Sequence, residues 1–150
     1  MTPAKSSSKS AGEGARPTPA GAAPNSLVDA AALEQAPRRH IRGDVRFDAS
    51  SRALYSTDGS NYRQVPIGVV LPRDSDDVIA AVSMAREYGA PLLCRGSGTS
   101  LAGQCCNVAL VLDFTRYMGN ILEIDPQRRT ARVQPGVCSI ICVTPPKNII

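Results

Sequence analysis

The spacing of apolar residues changes along the chain and predicts different structure in its successive segments. Residues 1–25 are rich in Ala, Ser, Pro, Gly and Thr and contain hardly an apolar anchor. Such a segment cannot bury enough apolar surface to offset its ordering entropy, so a disordered tail is predicted. A lead-in segment at residues 26–65 follows, in which Ser26 is a suitable cap for a short helix over 27–35. Its stretch 41–64 is polar and turn-rich and predicts irregular structure.

From residue 67 onward the pattern predicts a strand, a helix and a second strand. The apolar run at 67–71 is typical of a buried strand, and Asp74 or Ser75 offers an N-cap for the following helix. Gly89 is placed to end this helix, and the apolar run at 91–94 predicts the second strand. Two strands joined by a helix form a βαβ unit, so we expect them to be parallel. The apolar positions at helical spacing are Val78, Ile79, Val82, Ala85 and Tyr88.

Shorter strands and turns make up the following part of the chain. The run 109–114 predicts one further strand. The segments 121–124 and 130–134 flank a turn that contains Pro126, and their alternation of apolar and polar residues predicts an antiparallel hairpin. We therefore predict an α+β domain at residues 66–137, in which a small parallel βαβ subdomain precedes the start of an antiparallel sheet.

Composition narrows the possible functions. The chain has 150 residues and a net charge of +4, but its basic residues are scattered and do not alternate with aromatic ones, which argues against nucleic-acid binding. No apolar run of about 18 residues occurs and the N-terminus lacks a secretory signal pattern, so no transmembrane segment is expected. The cysteines lack CxxC spacing and have no neighbouring histidine, which predicts thiols in a reducing, cytoplasmic compartment and no metal site. They are Cys94, Cys105, Cys106, Cys138 and Cys142.

The segment 95–104, with the sequence Arg-Gly-Ser-Gly-Thr-Ser-Leu-Ala-Gly-Gln, carries the candidate chemistry. It follows directly on the second strand of the βαβ unit, for which we also predict burial. Gly96 and Gly98 allow the backbone to adopt positive φ and to approach a ligand closely. Successive N–H groups in such a turn converge on an anion, as a diphosphate requires. Further donors are the hydroxyl groups of Ser97, Thr99 and Ser100.

Two familiar phosphate-binding loops do not fit this segment. A P-loop requires Gly-Lys followed by Ser or Thr, whereas Gly98 is followed by Thr99. A Rossmann fingerprint requires a third glycine where this chain has Leu101, and Gly103 lies two positions too late. From the loop alone, a phosphate cradle of another kind and a Gly/Ser-rich surface turn both remain open.

The surroundings of the loop closely resemble a known family. From Pro66 to Val137 the chain is similar to the FAD-binding domain of the vanillyl-alcohol-oxidase type, also called PCMH-type. Within it, the chain resembles most the branch of glycolate oxidase and D-lactate dehydrogenase (cytochrome). Members often carry glycine where this chain has Ser97, which is a small departure. The matching segments are 55–58, 62–64, 70–73, 95–104, 110–113, 121–125 and 131–137.

The resemblance implies FAD as cofactor, with its pyrophosphate in this loop. Arg95 would neutralise the diphosphate, although a structural ion pair is an equal alternative for it. His40 precedes the domain and is expected at the surface, and Asp113 and Asp125 are expected to be strand-end or turn residues rather than acid–base catalysts. No catalytic and no metal-binding residue is predicted in this chain. The predicted cofactor-binding residues are Arg95, Gly96, Ser97, Gly98, Thr99, Ser100, Leu101 and Gln104.

In this family a hydride passes from a hydroxy acid or alcohol carbon to flavin N5. The resemblance thus implies the N-terminal part of an FAD-dependent oxidoreductase, with a small 2-hydroxy acid such as D-lactate or glycolate as substrate of the full-length enzyme. Residues 138–150 do not continue the family pattern. Restoring one base after codon 137 in a permitted coding string gives an amphipathic helix, so a frameshifted tail and a truncated domain are expected. The alternative is a non-catalytic remnant with little or no flavin affinity.

Overall fold

The computed structural model describes residues 30–35 and 40–138. The predicted tail at 1–25 lies outside these residues, as does all of the predicted frameshifted tail except Cys138. The helices are α1 (Ala30–Gln35), α2 (Ala49–Leu54) and α3 (Ser75–Glu87). The strands are β1 (Asp44–Arg46), β2 (Gly68–Leu71), β3 (Leu92–Arg95), β4 (Leu110–Asp113), β5 (Ile121–Asp125) and β6 (Thr130–Val133).

Two strands, β2 and β4, form the centre of a four-stranded sheet with the order β1-β2-β4-β3. All four residues of each central strand are buried, which agrees with their continuous apolar sequences. Val69 lies opposite Val111 in the parallel β2–β4 pair, and Leu93 lies opposite Val111 in the parallel β3–β4 pair. The predicted parallel orientation of β2 and β3 is therefore confirmed, but β4 lies between them.

The helix α3 begins and ends where the sequence predicts. Asp74 is its N-cap, and the Asp74 side chain accepts hydrogen bonds from the backbone N–H groups of Asp76 and Asp77. Tyr88 is the C-cap, and Gly89 follows with a φ of 63°, which glycine adopts at low cost. The core beside the sheet combines α3 residues with sheet and loop residues. Its buried members include Val70, Ala81, Met84, Ala85, Leu110, Leu112 and Phe114.

The prediction of irregular structure at 41–64 was wrong. Strand β1 pairs antiparallel with β2, with Val45 opposite Val70, and so extends the sheet across the predicted domain boundary at residue 66. Helix α2 is capped by the Asp48 side chain, which accepts a hydrogen bond from the N–H of Ser51. Short elements of this kind are stabilised by their tertiary partners, which local sequence does not reveal.

The strand that precedes the glycine-rich loop differs from expectation. β3 is an edge strand in which exposed and half-buried residues alternate, whereas we predicted a buried strand. The central place is taken by β4, whose residues are buried throughout. The loop therefore leaves the sheet at its margin, where solvent reaches it.

The predicted antiparallel hairpin is confirmed. β5 pairs with β6, with Ile124 opposite Ala131, and forms a separate two-stranded sheet. Gly136, which follows the hairpin, contacts the segment between β4 and β5, because its N–H donates to the carbonyl oxygen of Met118 at 2.9 Å. A Cβ at Gly136 would lie 2.1 Å from the carbonyl oxygen of Phe114, so only glycine fits this close approach.

Candidate functional site

The segment 95–104 begins at the carboxyl end of the parallel strand β3. In open α/β sheets, ligands bind in the crevice beyond the carboxyl ends of parallel strands, so this is a favourable position for a binding loop. Gly98 has a φ of 69° and Gly103 a φ of 77°, which confirms the expected positive-φ geometry at Gly98. Gly96, which was also expected to make use of this freedom, does not adopt a positive φ.

The backbone N–H groups of residues 96–99 are available as donors. Among the described residues, no protein group accepts a hydrogen bond from these four N–H groups. No heavy atom lies within 4 Å of the position that a Cβ on Gly96 would occupy, so this side of the loop is open. Unpaired N–H groups on a glycine-rich turn are the donor set that a phosphate requires. The residues present therefore fit a diphosphate.

The Arg95 side chain lies against the loop rather than beyond it. Its Nη1 donates to the carbonyl oxygen of Thr57 at 2.8 Å and to that of Cys105 at 2.9 Å, with a longer contact of 3.4 Å to Tyr55. A Cβ on Gly98 would lie 2.3 Å from Nη2 of Arg95. The expected alternative of a structural ion pair is not what the structure has, because no carboxylate among the described residues forms a salt bridge with Arg95.

A second segment, which precedes the predicted domain, holds the loop in place. The N–H of Gly59 donates to the carbonyl oxygen of Gly98 at 2.9 Å. One oxygen of Asp58 accepts from the N–H of Cys105 at 3.1 Å, while the other accepts from the N–H of Ser60 at 2.9 Å. Hydrogen bonds from Ser60 keep the pKa of Asp58 below its usual range. The carboxylate is therefore charged at neutral pH.

The far end of the loop closes on itself. The Ser100 hydroxyl group donates to Oε1 of Gln104, and the N–H of Gln104 returns a bond of 3.3 Å to the Ser100 oxygen. In this arrangement the Ser100 proton is used inside the loop, so donation to a phosphate requires that bond to open. Leu101 is 81% exposed, which leaves its side chain free to contact a ligand.

Near the start of the loop, the half-buried Tyr55 contacts the buried Asp113 at the carboxyl end of β4. The Tyr55 hydroxyl group donates to Asp113 at 2.6 Å, and Asp113 also accepts from the N–H and hydroxyl of Thr115. Burial, followed by the bond to Asp113, raises the pKa of Tyr55 to about 12. Asp113 thus has the strand-end role that we predicted.

Sequence reasoning identified the loop but missed the residues that support it. Asp58 belongs to a segment that resembles the family and Gly59 to a turn-rich stretch, but neither was predicted to contact the loop. Their partners, Cys105 and Gly98, lie 47 and 39 residues further along the chain. No local pattern encodes contacts at that separation.

Other kinds of site are not found in the described part of the chain. Residues 30–35 and 40–138 contain no group of three or more His, Cys, Asp or Glu side chains that could hold a metal ion. None of the helices in that part is long and apolar enough to cross a membrane. A cleft of about 310 Å³ lies on the β5–β6 hairpin, away from the glycine-rich loop, and is lined by both acidic and basic side chains.

Comparisons with known proteins give a family and several relatives. The FAD binding domain family matches residues 66–139. The glycolate oxidase subunit GlcD of Bacillus subtilis is 39% identical over 105 residues, which cover 67% of this chain and 22% of that protein. The D-2-hydroxyglutarate dehydrogenase of Pseudomonas putida is 36% identical over 107 residues, covering 69% of this chain and 11% of that protein. The chain thus spans about a fifth or less of the length of these relatives.

Solved structures agree on the fold. 6-Hydroxy-D-nicotine oxidase from Arthrobacter nicotinovorans superimposes with a TM-score of 0.55 at 29% identity, over 66% of this chain and 22% of that one. p-Cresol methylhydroxylase gives a TM-score of 0.61 over 80% of this chain and 26% of that one, and at 18% identity it supports the fold alone.

Fold and loop together define an FAD-binding domain of the PCMH type, as found in FAD-dependent oxidoreductases. The chain belongs to the FAD binding domain family through residues 66–139 and is related to glycolate oxidase subunits and D-2-hydroxyglutarate dehydrogenases. Its cofactor is FAD.

Proposed function

We propose that the loop at 95–101, together with Gln104, binds the pyrophosphate of FAD in an oxidoreductase that oxidises a small 2-hydroxy acid. The backbone N–H groups of residues 96–99 are the principal donors, and Leu101 contacts the cofactor from the rim of the loop. Arg95 contributes positive charge from behind the loop. The bound flavin supplies hydride acceptance at N5.

One observation carries this proposal. Four consecutive N–H groups in the described structure have no protein acceptor, although they lie on a turn that is held at both ends by hydrogen bonds. A turn with so many unpaired donors is suited to an anion with several oxygens, and the diphosphate of FAD is such an anion.

The substrate class rests on the relatives. Two of them are named for glycolate and for D-2-hydroxyglutarate, which are both 2-hydroxy acids. Their shared chemistry is a carbon that carries both a hydroxyl group and a carboxylate. We therefore propose a 2-hydroxy acid for the whole enzyme to which this chain corresponds.

Two further features complete the proposal. The cysteines of the described residues are free thiols, which suits the reducing cytoplasm. The exposed basic residues Arg42, Arg116 and Arg128 each form a salt bridge with an aspartate, which reduces their availability to nucleic acid. The proposed partners are therefore FAD and a small acid, and not a nucleic acid.

The test is a calorimetric titration of the full chain with ADP, FAD and riboflavin. ADP and FAD contain the pyrophosphate and should bind, whereas riboflavin lacks it and should bind at least about tenfold more weakly. Gly96→Asp places a carboxylate in the open space beside the loop amides without a steric clash. The new carboxylate and the diphosphate of ADP carry like charges, and their repulsion should weaken ADP binding about tenfold or more.

A matched control separates this local repulsion from a general effect of charge. Ser83→Asp adds the same charge on an exposed position of α3, away from the loop. ADP affinity should be the same as that of the unmodified chain. Equal binding of riboflavin and ADP, or equal losses for Gly96→Asp and Ser83→Asp, would refute the proposed phosphate site.

A further inference from the structure

The segment 55–60, named here the buttress, lies outside the residues that match the FAD binding domain family. We propose that the buttress is a positioning element of the phosphate loop, and that Asp58 and Arg95 hold the loop amides in their anion-binding arrangement. This inference rests on the proposed function, because it assigns a role in binding the same pyrophosphate. It assigns Arg95 a place behind the loop as a positioning residue.

The first link runs from the loop to the buttress through the Arg95 side chain. Nη1 of Arg95 donates to the carbonyl oxygen of Thr57 at 2.8 Å and, across the base of the loop, to that of Cys105 at 2.9 Å. The guanidinium group also lies 5.3 Å from the centre of the Tyr55 ring. A single cation therefore ties together the buttress and both ends of the loop.

The second link runs from the buttress to the loop. Asp58 accepts from the N–H of Cys105 at 3.1 Å, and Gly59 donates to the carbonyl oxygen of Gly98 at 2.9 Å. A Cβ on Gly59 would lie 3.0 Å from the carbonyl oxygen of Ser100, which leaves little space for a larger residue. The carbonyl of Gly98 is thereby turned toward the buttress, while the neighbouring amides remain unpaired on the loop.

These contacts bear directly on affinity. A loop that is already ordered loses less conformational entropy when an anion binds, so pre-organisation strengthens binding without a new contact to the ligand. Without the buttress, the glycines at 96 and 98 would allow the loop many conformations. The buttress thus lowers the loss of conformational entropy that these glycines would otherwise add to anion binding.

The charge of Asp58 allows positioning to be separated from simple electrostatics. A carboxylate beside an anion site repels the anion, so on Coulombic grounds the removal of its charge strengthens anion binding. A positioning role predicts the opposite, because an asparagine at position 58 cannot accept both the bond from Cys105 and the bonds from Ser60 in the same way. The sign of the change therefore decides between the two roles.

The experiment compares Asp58→Asn with Asp76→Asn in the full chain, using ADP as the probe. Asp76 is an exposed aspartate of α3, and its replacement removes the same charge at another place. We expect Asp58→Asn to weaken ADP binding about tenfold, which corresponds to the loss of one hydrogen bond to a charged group. Asp76→Asn should leave the affinity unchanged. An unchanged or stronger affinity in Asp58→Asn would overturn the inference.

A second measurement needs no ligand and so distinguishes this inference from the proposed function. Order parameters from ¹⁵N relaxation at residues 96–99 should be near about 0.85 in the unmodified chain and below about 0.6 in Asp58→Asn. If the unmodified chain fails to bind ADP, the proposed function fails, whereas unchanged order parameters in Asp58→Asn refute the positioning role itself.

A further variant covers the case in which Asp58→Asn does not fold. Gly59→Ala keeps every charge and requires no positive φ, but its methyl group would press on the carbonyl oxygens of Thr99 and Ser100. We expect lower order parameters in the loop and weaker ADP binding, with the unfolding midpoint close to that of the unmodified chain. Loop dynamics and affinity identical to those of the unmodified chain would contradict the inference.

Discussion

Replacement of Asp77 by asparagine tests the structure at a buried carboxylate. Asp77 is only 1% exposed, and its oxygens accept from the backbone N–H groups of Arg42 at 2.8 Å, Gly43 at 2.9 Å and Arg73 at 2.9 Å. This one side chain therefore joins the start of α3 to the segment before β1 and to the turn after β2. The substitution changes the volume of the side chain hardly at all.

The magnitude follows from the number of donors that face the carboxylate. An asparagine at this position has one carbonyl oxygen, so it retains at most two of the three bonds, and its NH₂ group faces a backbone N–H instead of accepting from it. Hydrogen bonds to charged groups contribute about 1.5–3 kcal/mol each, so we expect a loss of about 2–4 kcal/mol in the free energy of unfolding. For a domain whose total stability is about 5–15 kcal/mol, this is a large fraction.

Urea unfolding of the full chain, followed by circular dichroism, measures this loss. With an m-value of about 2 kcal/mol per molar urea, the midpoint should fall by roughly 1–2 M. Asp76→Asn is the matched control, because Asp76 is 85% exposed and its contact with Arg42 is 3.7 Å long, so its loss should be below about 0.5 kcal/mol. Equal midpoints for Asp77→Asn and the control would show that the three hydrogen bonds do not stabilise the fold.

Three further predictions concern stability. Gly136→Ala should lower the free energy of unfolding by about 1–3 kcal/mol in urea melts, because the new methyl group overlaps the Phe114 carbonyl oxygen. Gly119→Ala is the control: its methyl group would lie 3.6 Å from the nearest atom, and the loss should be less than about 1 kcal/mol. The pKa of Tyr55 is raised from 10.0 to about 12, so the contribution of Tyr55 to the free energy of unfolding is complete below pH 10 and is lost as the pH rises toward about 12. In urea melts, Tyr55→Phe should reduce this loss of stability at alkaline pH. The hydrogen bond from Arg46 holds the pKa of Asp44 below 3.8, so the contribution of Asp44 to the free energy of unfolding is present above that pH and is lost on further acidification. Asp44→Asn should therefore make the free energy of unfolding depend less on pH in the acid range.

The parts of the fold with strong local signals could be predicted from the sequence. The cap at Asp74 and the stop at Gly89 define α3 because both act within one turn of the helix. The hairpin was predictable because apolar and polar residues alternate in the segments that form β5 and β6, and a turn lies between them. The glycine-rich loop was found for the same reason, since its composition is itself the signal.

Features that depend on distant partners were not predictable. β1 has only three residues, and it exists because its backbone pairs with β2 about 25 residues later. Ile41, Val45 and Phe47 pack in or against the core, but so few apolar positions do not by themselves identify a strand. The place of β4 between β2 and β3 is a matter of topology, which no local pattern encodes. The three hydrogen bonds that Asp77 accepts were not predicted, because its partners in the preceding segment lie 34 and 35 residues away.

The most direct test of the phosphate site is a ¹H–¹⁵N correlation spectrum of the labelled full chain, recorded during titration with ADP and, separately, with riboflavin. We predict that ADP shifts the amide resonances of residues 96–99 more than any others, since these N–H groups would acquire an acceptor, while riboflavin leaves them in place. Gly96→Asp should require about tenfold more ADP to produce the same shifts, without moving the resonances of α3. ADP-induced shifts confined to residues outside 95–104, or no shifts at saturating ADP, would show that this loop is not a phosphate site.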